Sequence, residues 1–414
     1  MDVVIQRCAG IDIGKKTMAV TIRTPGQGKR RRTETRTFAT MTDQVLALRD
    51  WLLGEGVEVA GMEATGDYWK PVFYLLEDAL ECWLLNAGHL KAVPGRKTDV
   101  KDSEWIAQLV EHGLVRPSFV PPPPIRELRD LTRYRKTVIE ERTREVQRLE
   151  KILEDAGIKL SSVASSTVSV SGRAMLAALI DGERDPAALA NLAKGRMRRK
   201  TPILQQALRG RFDAHHAVLV REMLARIDAA DATVARLCHE IAERLRPFQE
   251  QLDLLMSIPG IARRNAEVLI AETGGDMTAF GSPHRLAAWA GLAPGNNESA
   301  GKHRPGHTRK GNKWLGSALV ESAHAAARTK NTYLAAQYWR LSGRRGKNRA
   351  AVAVAHSILV IAYHLLDRHQ PYRDLGGDYF TSRLPDHAHV RRLVAQLERL
   401  GQHVTLTPNN PEAA

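Results

Sequence analysis

A run of four prolines, Pro121 to Pro124, separates two parts of the chain that have different hydrophobic patterns. Proline lacks a backbone N–H and fixes φ, so such a run interrupts helices and central strands. Before it, short apolar runs alternate with amphipathic segments, as in an α/β domain. After it, apolar residues recur at intervals of three and four, which predicts long helices. We therefore expect an α/β domain at 1–120 and a helical region from residue 125.

The first part predicts a β-hairpin followed by alternating helices and strands. Residues 3–13 and 17–23 form the predicted hairpin, and a basic turn (GQGKRRR) leads to a third strand near 36–39. An amphipathic helix is predicted from Thr42. The remaining predicted elements are a strand at 57–65, a helix at 68–80, a strand at 82–86 and a helix at 102–113. This order favours a three-layer α/β domain.

The helical region contains two stretches of near-heptad spacing. The first stretch has apolar residues at Ile125, Leu128, Leu131, Val138, Val146, Leu149 and Leu153, and the second runs from Leu204 to Leu252. Such spacing predicts coiled-coil helices, which pair within one chain, across a dimer, or both. We assign 125–253 to this coiled-coil domain. A basic segment between the two stretches, KGRMRRK, is interpreted as a solvated surface.

From Leu254 the pattern changes to short helices and glycine turns, which indicates a third, helical domain at 254–370. Its first segment, LLMSIPGIARRNAEVLIAETGG, resembles a helix-hairpin-helix. The turn at Gly260, with Arg263 and Arg264 after it, is expected to hold a DNA phosphate through backbone N–H groups. An ordinary packing unit is the alternative. Residues 371–414 form a tail that is expected to be partly disordered.

Charge indicates the kind of partner. Lys and Arg number 61 against 46 Asp and Glu, which gives a formal charge of +15 and a pI near 9.9. This balance predicts a polyanionic partner, and nucleic acid is the first candidate. No apolar run approaches the roughly 20 residues of a membrane span, and the N-terminus lacks the layout of a signal peptide. We expect a cytoplasmic, nucleoid-associated protein without a membrane partner.

Three cysteines, Cys8, Cys82 and Cys238, are widely spaced among apolar residues. This spacing suggests neither a disulfide framework nor a zinc site. We expect them to be small buried side chains.

Four acidic residues form a candidate metal site. Asp12 lies in a predicted strand between Gly10 and Gly14, and Glu63 lies at the end of the next apolar strand. Asp99 and Asp102 are three residues apart, a spacing that places both on one face of a helical first turn. A helix cap and a loop acid are the alternatives for these two.

Taken together, the four acids can converge because strand ends and a helix start meet at one edge of a sheet. Hard oxygen ligands suit Mg²⁺ or Mn²⁺, and two such ions can stabilise both oxygens of a phosphodiester displacement. The basic neighbours Lys15, Lys16 and Lys97 are candidates for holding phosphates.

Ser299 is the only serine between Ser282 and Ser317, in a segment rich in glycine and cations. A serine hydroxyl needs a base, a metal or a cationic pocket to attack phosphorus. The residues that are candidates for this pocket are Lys302, His303, Arg304, His307, Arg309 and Lys310. From the residues alone, a plain loop serine is the more common outcome.

The segments GIDIGKKTMAV, MEATGDYW and GRKTDVKDSEWIAQL resemble the Asp-Glu-Asp-Asp tetrad of RuvC-like (RNase H-like) nuclease domains, as carried by the insertion-sequence one-ten family of transposases. Downstream, GLAP, a serine before a small residue and glycine, and TRKGNKWL are similar to that family's C-terminal transposase domain. The resemblance extends to about residue 370. It implies that Ser299 is the catalytic serine, although relatives often have paired serines and glycines where this chain has ESAG.

The resemblance further implies a DNA recombinase that forms a phosphoserine intermediate and acts on donor and target DNA. It implies a homo-oligomer, either dimer or tetramer, and a structured non-coding guide RNA. Two alternatives remain open. One is a Holliday-junction-type endonuclease that uses metal-activated water, and the other is a nucleic-acid-binding scaffold without chemistry.

Overall fold

The computed structural model describes residues 2–28, 30–64, 66–87, 102–295, 310–383 and 386–407, together with 298–299, 302–303 and 308. The chain forms two compact units, 1–120 and 121–414. The division falls at the start of the proline run. The two units are described separately below.

The first unit is built on a five-stranded mixed sheet with the order β3-β2-β1-β4-β5. β1 and β2 form an antiparallel hairpin, β3 extends it antiparallel, and β4 and β5 continue parallel to β1. The elements are β1 (Cys8–Ile13), β2 (Thr17–Pro25), β3 (Arg31–Ala39), α1 (Thr42–Gly54), β4 (Val59–Glu63), α2 (Trp69–Leu76), β5 (Glu81–Leu85) and α3 (Asp102–Glu111). The predicted hairpin and mixed α/β character are confirmed.

Helices cover both faces of this sheet. Alternate side chains of a strand point to opposite faces, and Ile11 joins a core with Leu48 of α1 and Phe73 of α2. The other face packs against Ile106 and Val110 of α3. The unit therefore has three layers, with α1 and α2 on one side of the sheet and α3 on the other.

Two strands begin about five residues away from their predicted starts, whereas the other strand boundaries differ by one or two residues. β1 begins at Cys8, because the backbone N–H groups of Val4 and Ile5 donate to the carbonyl of Glu111 at the end of α3. β3 begins at Arg31, within the predicted basic turn, where Arg31 pairs with Pro25 of β2. These arginines belong to a strand because carboxylates neutralise them, as in the ion pair of Arg31 with Glu111 at 2.6 Å.

The second unit is almost entirely helical. Its elements are α4 (Pro123–Asp155), α5 (Leu160–Val163), α6 (Val170–Ile180), α7 (Pro186–Asn191), α8 (Thr201–Ala207), α9 (Ala214–Arg244), α10 (Gln249–Met256), α11 (Arg263–Thr273), α12 (Pro283–Trp289), β6 (Glu298–Ser299), β7 (Lys302–His303), α13 (Lys313–Ala326), α14 (Tyr333–Arg345), α15 (Lys347–Arg368) and α16 (Asp386–Arg399). Short 3-10 turns lie at Gly195–Lys200 and Arg246–Phe248. α4 begins at Pro123, since the first turn of a helix tolerates proline.

The long helices α4 and α9 pack against each other within the chain. They run antiparallel, because Arg142 pairs with Asp231 while Glu127 near the start of α4 pairs with Arg244 at the end of α9. Their pairing within one chain is therefore one of the arrangements that the heptad pattern left open. Supercoiling of the pair remains a prediction.

The second heptad stretch is not one continuous helix, contrary to the sequence prediction. Leu204 lies in the short helix α8, Phe212 precedes the start of α9, and Leu252 lies in α10. These residues are buried in local cores rather than along one seam. The first stretch is one helix, but its buried line includes the charged Arg135 and Glu145. Spacing alone does not reveal such polar interruptions.

Contrary to the expectation that no apolar run approaches the length of a membrane span, one helix of the second unit, α15, is long and apolar enough to cross a membrane by length and composition. Its buried residues, among them Val354, Ile358 and Ala362, lie in a helical core where α15 packs against α12, α13 and α14. Burial against these neighbours explains its apolar composition. The tail contains the unpredicted helix α16, and Tyr372 N–H donates to Ser257 Oγ at 3.0 Å.

Candidate active site

The end of β1 places Asp12 on the sheet face that α3 covers. Gly10 and Asp12 are two residues apart in the strand and therefore share a face. A Cβ atom on Gly10 would lie 2.1 Å from the Ser103 carbonyl oxygen and 2.3 Å from the Ala107 nitrogen, so glycine allows this close approach. Asp12 is half-buried at the carboxyl end of the strand.

Glu63 occupies the matching position at the end of β4. The parallel register pairs Ile11 with Met62, so Asp12 and Glu63 are the next aligned positions on neighbouring strands. Gly61 faces side chains of α3. Because Glu63 follows it by two residues, Glu63 lies on the same face. Both carboxylates are thus at the edge where α/β sheets present their ligands.

α3 begins over this edge, with Asp102 as its first residue. Ser103 lies against Gly10 and shares a buried hydrogen bond of 2.8 Å with the Thr21 hydroxyl of β2. Asp102 is half-buried, and its Oδ1 atom is shielded from solvent. Three of the four predicted acids therefore lie at one edge of the sheet, on the side that α3 covers.

Hydrogen bonds to the sheet also hold the far end of α3. The buried Glu111 carboxylate accepts hydrogen bonds from Arg23 Nε at 2.8 Å and Arg31 Nε at 2.6 Å. A buried charge of this kind is tolerated when it is paired and hydrogen-bonded. The Cys8 thiol donates to the carbonyl of Ala107 at 3.4 Å in the middle of the helix. Contacts at both ends and the centre fix the position of Asp102 over the sheet.

The donor set suits a hard divalent cation, because carboxylate oxygens are the ligands that Mg²⁺ and Mn²⁺ prefer. In the described part of the chain, the oxygens of Asp12, Glu63 and Asp102 do not all lie within 4.8 Å of one another. They lie on the side of the sheet that α3 covers without forming a closed ligand cluster. Asp99 and Lys97 lie outside the described residues. Lys15 and Lys16 are exposed in the hairpin turn that follows Asp12.

Ser299 ends β6, one strand of a two-stranded hairpin in the second unit. Its register partner is Lys302, and Glu298 pairs with His303. Pro294 and Thr308, which lie before and after this hairpin in the chain, pair through an isolated antiparallel bridge. Lys310 is exposed, while Arg304, His307 and Arg309 lie outside the described residues. The structure thus gives Ser299 a hairpin position, where the sequence indicated a loop.

A network that the sequence did not predict holds the base of this segment. Asn312 caps α13 by accepting from the Trp314 and Leu315 N–H groups at 3.0 and 3.1 Å. Its Nδ2 donates to the fully buried Glu272 at 2.6 Å. Arg133 of α4 donates to both oxygens of Glu272, at 2.7 and 2.8 Å. Partners this far apart in sequence leave no local signal, so only the fold reveals them.

A groove of about 370 Å³ lies beside this network, between α4, α11 and α13. Its charged lining consists of Arg133, Arg135, Lys136, Arg264 and Lys313, with Glu140, Glu272 and Glu321. Acids within the described chain neutralise the first three cations, but none there forms an ion pair with Arg264 or Lys313. Lys313 lies 5.0 Å from the centre of the Trp314 ring. Counting only acids in the described part of the chain, this groove presents two cations without an ion pair, and Lys313 lies over the Trp314 ring.

The segment predicted as a helix-hairpin-helix consists of α10, a turn and α11. Gly260 has φ of +92°, and a Cβ atom there would lie 2.4 Å from the Ser322 carbonyl oxygen of α13. Packing against α13 is therefore sufficient to explain this glycine. Arg263 pairs with the buried Glu267 at 3.1 Å, whereas Arg264 lines the groove. Phosphate binding at the turn remains a prediction.

Asp155, His215 and His216 are the one cluster of potential metal ligands among the described residues. His216 Nδ1 accepts the N–H of Asp213, which closes a capping box at the start of α9. A neutral imidazole that accepts at Nδ1 carries its proton at Nε2. The Nε2 atom, 3.2 Å from Asp155, then donates a hydrogen bond and has no lone pair for a metal. Helix capping explains the cluster.

The cysteines are not candidates for the site. All three are free, and burial raises the pKa of Cys8 from 9.0 to about 12 and that of Cys82 to the same value. Such thiols stay protonated near neutral pH, whereas the thiolate is the form that binds metals and attacks substrates. Cys8 serves as a packing residue between β1 and α3.

Comparison with known protein families identifies the class of protein to which this chain belongs. Residues 9–158 match a transposase family model named for the DEDD motif of IS110 elements. Residues 252–340 match the model of the IS116/IS110/IS902 transposase family. The chain is therefore a transposase with a mixed α/β DEDD domain and a helical C-terminal region.

Individual relatives agree with the two models. The chain is 26% identical over 321 residues to the transposase of insertion sequence IS1111A from Coxiella burnetii, covering 75% of this chain and 78% of the relative. It is 30% identical over 303 residues to an uncharacterized 42 kDa protein of insertion element IS900 from Mycobacterium paratuberculosis, covering 67% and 73% respectively. A putative transposase of Sinorhizobium fredii is 31% identical over 174 residues, which are 41% of this chain and 43% of that relative. This chain belongs to the IS110 family of transposases, as the sequence resemblance predicted.

Proposed function

We propose that this transposase cuts and rejoins DNA through a phosphoserine intermediate on Ser299, with Asp12, Glu63, Asp99 and Asp102 as ligands of Mg²⁺ or Mn²⁺. The observation that carries the proposal is the placement of Asp12, Glu63 and Asp102. They lie at two aligned strand ends and at the start of the helix that covers them. The same placement supports a RuvC-like (RNase H-like) assignment of the first unit, together with its hairpin-led sheet and three layers.

The bound metal would neutralise negative charge that develops on the phosphate during displacement. The three described acids lie on the side of the sheet that α3 covers, and their oxygens do not all lie within 4.8 Å of one another in the described part of the chain. Hard oxygen ligands and a helix fastened at both ends suit such a site. Asp99, three residues before Asp102, would be the fourth ligand.

In the proposed displacement, the Ser299 oxygen forms a bond to phosphorus while the bond from phosphorus to a sugar oxygen breaks. The serine hydroxyl gives up one proton and the leaving sugar oxygen takes one, so no net proton is consumed. The bond to phosphorus is retained in the protein–DNA link. A later attack by a sugar hydroxyl therefore reverses the exchange and joins a new strand without an external energy source.

Cations around both sites are proposed to hold the DNA backbone. Near the carboxylates in the sequence these are Lys15, Lys16 and Lys97, and near the serine they are Lys302, Arg304, Arg309 and Lys310. In the turn they are Arg263 and Arg264, together with the backbone N–H groups at Gly260. Among the described ones, exposure supports Lys15, Lys16 and Lys310, and the groove supports Arg264. Arg263 has the weakest support because Glu267 already neutralises it. Phosphate contacts of this kind position DNA without reading its sequence.

The finer features of this proposal come from the family resemblance. They are a helix-hairpin-helix at α10 and α11, a structured non-coding guide RNA, assembly as a dimer or tetramer, and a cytoplasmic location at the nucleoid. The formal charge of +15 is consistent with two nucleic-acid partners. The carboxylates and the serine belong to different compact units, so one protomer or two can supply them.

The test uses the purified full chain, the element's transcript and end-labelled junction DNA with Mg²⁺. After denaturation, label should migrate with the wild-type protein and be lost in Ser299→Ala and Asp102→Ala. Ser165→Ala, which removes an exposed serine elsewhere, should behave as wild type. Cut DNA without a protein adduct, with Ser299→Ala equally active, would establish the hydrolytic endonuclease instead.

A further inference from the structure

Residues 156–213 connect α4 to α9, and we call this segment the lobe. A second cationic surface lies in the lobe, at residues that neither family model matches. Five of the seven residues from Lys194 to Lys200 are basic, and they lie on and beside the 3-10 turn. We call Lys194, Arg196, Arg198, Arg199 and Lys200 the lobe cluster. All five side chains are exposed. The cluster is therefore accessible to a large ligand.

The backbone that carries the lobe cluster is anchored in the lobe. Lys194 N–H donates to Ser171 Oγ at 2.9 Å, and Arg198 Nε donates to the carbonyl of Ala193 at 3.2 Å. Lys200 Nζ donates to the carbonyl of Val163 at 2.7 Å. The half-buried Met197 packs against the lobe core. These contacts hold the five cations together despite their mutual repulsion.

The lobe cluster has no acidic partner among the residues that the structure describes. Within the described residues none of its five members forms an ion pair, and the sequence from Pro186 to Phe212 contains seven basic residues and no Asp or Glu. Elsewhere on the α4–α9 pair the arginines do find acids, such as Arg142 with Asp231 and Arg244 with Glu240. The contrast shows that the lobe cluster is not the ordinary charged surface of a helical region.

The spacing of the cluster fits a polyphosphate. A 3-10 turn rises about 2 Å per residue with three residues per turn, so Arg196 and Arg199 lie on one side, about 6 Å apart. The whole cluster extends over about 12 Å, which is comparable to the Debye length of about 8 to 10 Å. Its charges therefore repel one another in the free protein, and binding a chain of phosphates relieves that repulsion.

The sequence around the lobe cluster lacks aromatic residues, and this distinguishes a duplex from a single strand as the ligand. Sites for single strands usually combine cations with aromatic rings on which bases stack. The sequence from Pro186 to Arg211 contains no Phe, Tyr, Trp or His. This composition favours contacts to the outside of a duplex, where phosphates alone are reached.

We propose that the lobe cluster binds the sugar-phosphate backbone of duplex DNA, without sequence preference, as an anchor separate from the proposed active-site contacts. The choice of DNA as the polyanion rests on the proposed function. The five cations of KGRMRRK are exposed, as the sequence predicts, and the proposal adds a binding role to this solvated surface.

The test measures binding of the full chain to a fluorescent DNA duplex and, in parallel, to an RNA duplex of the same sequence. Both are followed by anisotropy, without Mg²⁺, across a salt series. The cluster variant carries Lys194→Ala, Arg196→Ala and Arg199→Ala, whose side chains make no hydrogen bond or ion pair within the described chain. The matched control carries Arg144→Ala, Arg221→Ala and Arg236→Ala, which removes the same charge from exposed positions on α4 and α9. Circular dichroism checks that both variants are folded.

Each phosphate contact contributes about 0.9 to the slope of log affinity against log salt. The cluster variant should therefore lower the slope by about 2 to 3 and weaken binding at least about tenfold at moderate salt, while the control changes the slope by less than about 1. Equal behaviour of the two variants would overturn the proposal. So would a loss confined to an RNA duplex, which would make the cluster an RNA surface. Failure of the Ser299 adduct alone would leave this result unaffected.

Discussion

Replacing Gly10 with alanine tests how closely the position of Asp102 depends on the contact between β1 and α3. The new Cβ atom would lie 2.1 Å from the Ser103 carbonyl oxygen, and Cβ contacts under 3.0 Å essentially do not occur. Both close neighbours are backbone atoms, so no side chain can rotate away. The start of α3, with Asp102 next to Ser103, must move outward by about 0.9 Å or more.

The size of the effect follows from this displacement. Overpacking of a core costs about 1 to 3 kcal/mol, and a misplacement of about 1 Å at a reaction centre can cost about 10²-fold in rate. Gly10→Ala should therefore lower the free energy of unfolding, measured in urea, by about 1 to 3 kcal/mol. It should also reduce adduct formation about a hundredfold. The Mg²⁺ concentration for half-maximal activity should rise.

Gly61→Ala is the matched control, because Gly61 pairs with Gly10 on the neighbouring strand. Its new Cβ atom would meet Val110 Cγ2 at 2.6 Å, which is a side-chain atom, whereas the close neighbours at Gly10 are backbone atoms of α3. We expect a smaller loss of both stability and activity. Unfolding and adduct formation in Gly10→Ala equal to wild type would refute the claim that this contact positions Asp102.

Three further predictions concern other parts of the chain. Glu272→Gln should lower the free energy of urea unfolding by about 3 to 5 kcal/mol, because it leaves Arg133 without its buried partner. Glu321→Gln, which alters the half-exposed partner of Lys136, should change the free energy of unfolding by less than about 1 kcal/mol. Equal effects of the two substitutions would contradict a stabilising role of the buried Glu272 network. Because burial raises the pKa of Cys8 to about 12, the unfolded state loses the thiol proton first, and stability should fall as pH rises above about 9. Urea unfolding between about pH 8 and 10 should show a shallower fall for Cys8→Ala, and an unchanged slope would argue against a protonated thiol. Added Zn²⁺ should not raise the melting temperature through His216, and a rise that is lost in His216→Ala would show that the capping histidine binds metal.

The sequence was most informative where local patterns decide structure. Alternating apolar residues predicted the hairpin, and the periodicity after Thr42 predicted α1. Three of the four acids were recognised in short motifs and lie at one edge of the sheet. Such acids can be recognised from the sequence because the end of a strand or the start of a helix is set by residues close to it in the chain.

Long-range partners explain most of what was missed. The basic segment at Arg31 looked like a turn because its neutralising partner Glu111 is 80 residues away. The second heptad stretch looked continuous because apolar spacing does not show where Phe212 turns the chain. The network of Glu272, Arg133 and Asn312 joins three helices and likewise has no local signature.

The most direct measurement of the central claim is to locate the covalent attachment site. Wild-type protein is incubated with junction DNA, guide transcript and Mg²⁺, digested with protease and nuclease, and the nucleotide-bearing peptide is identified by mass spectrometry. The account predicts a single modified peptide with the nucleotide on Ser299, and none from the Asp102→Ala variant. Attachment at any other residue, or efficient cutting with no modified peptide, would contradict it.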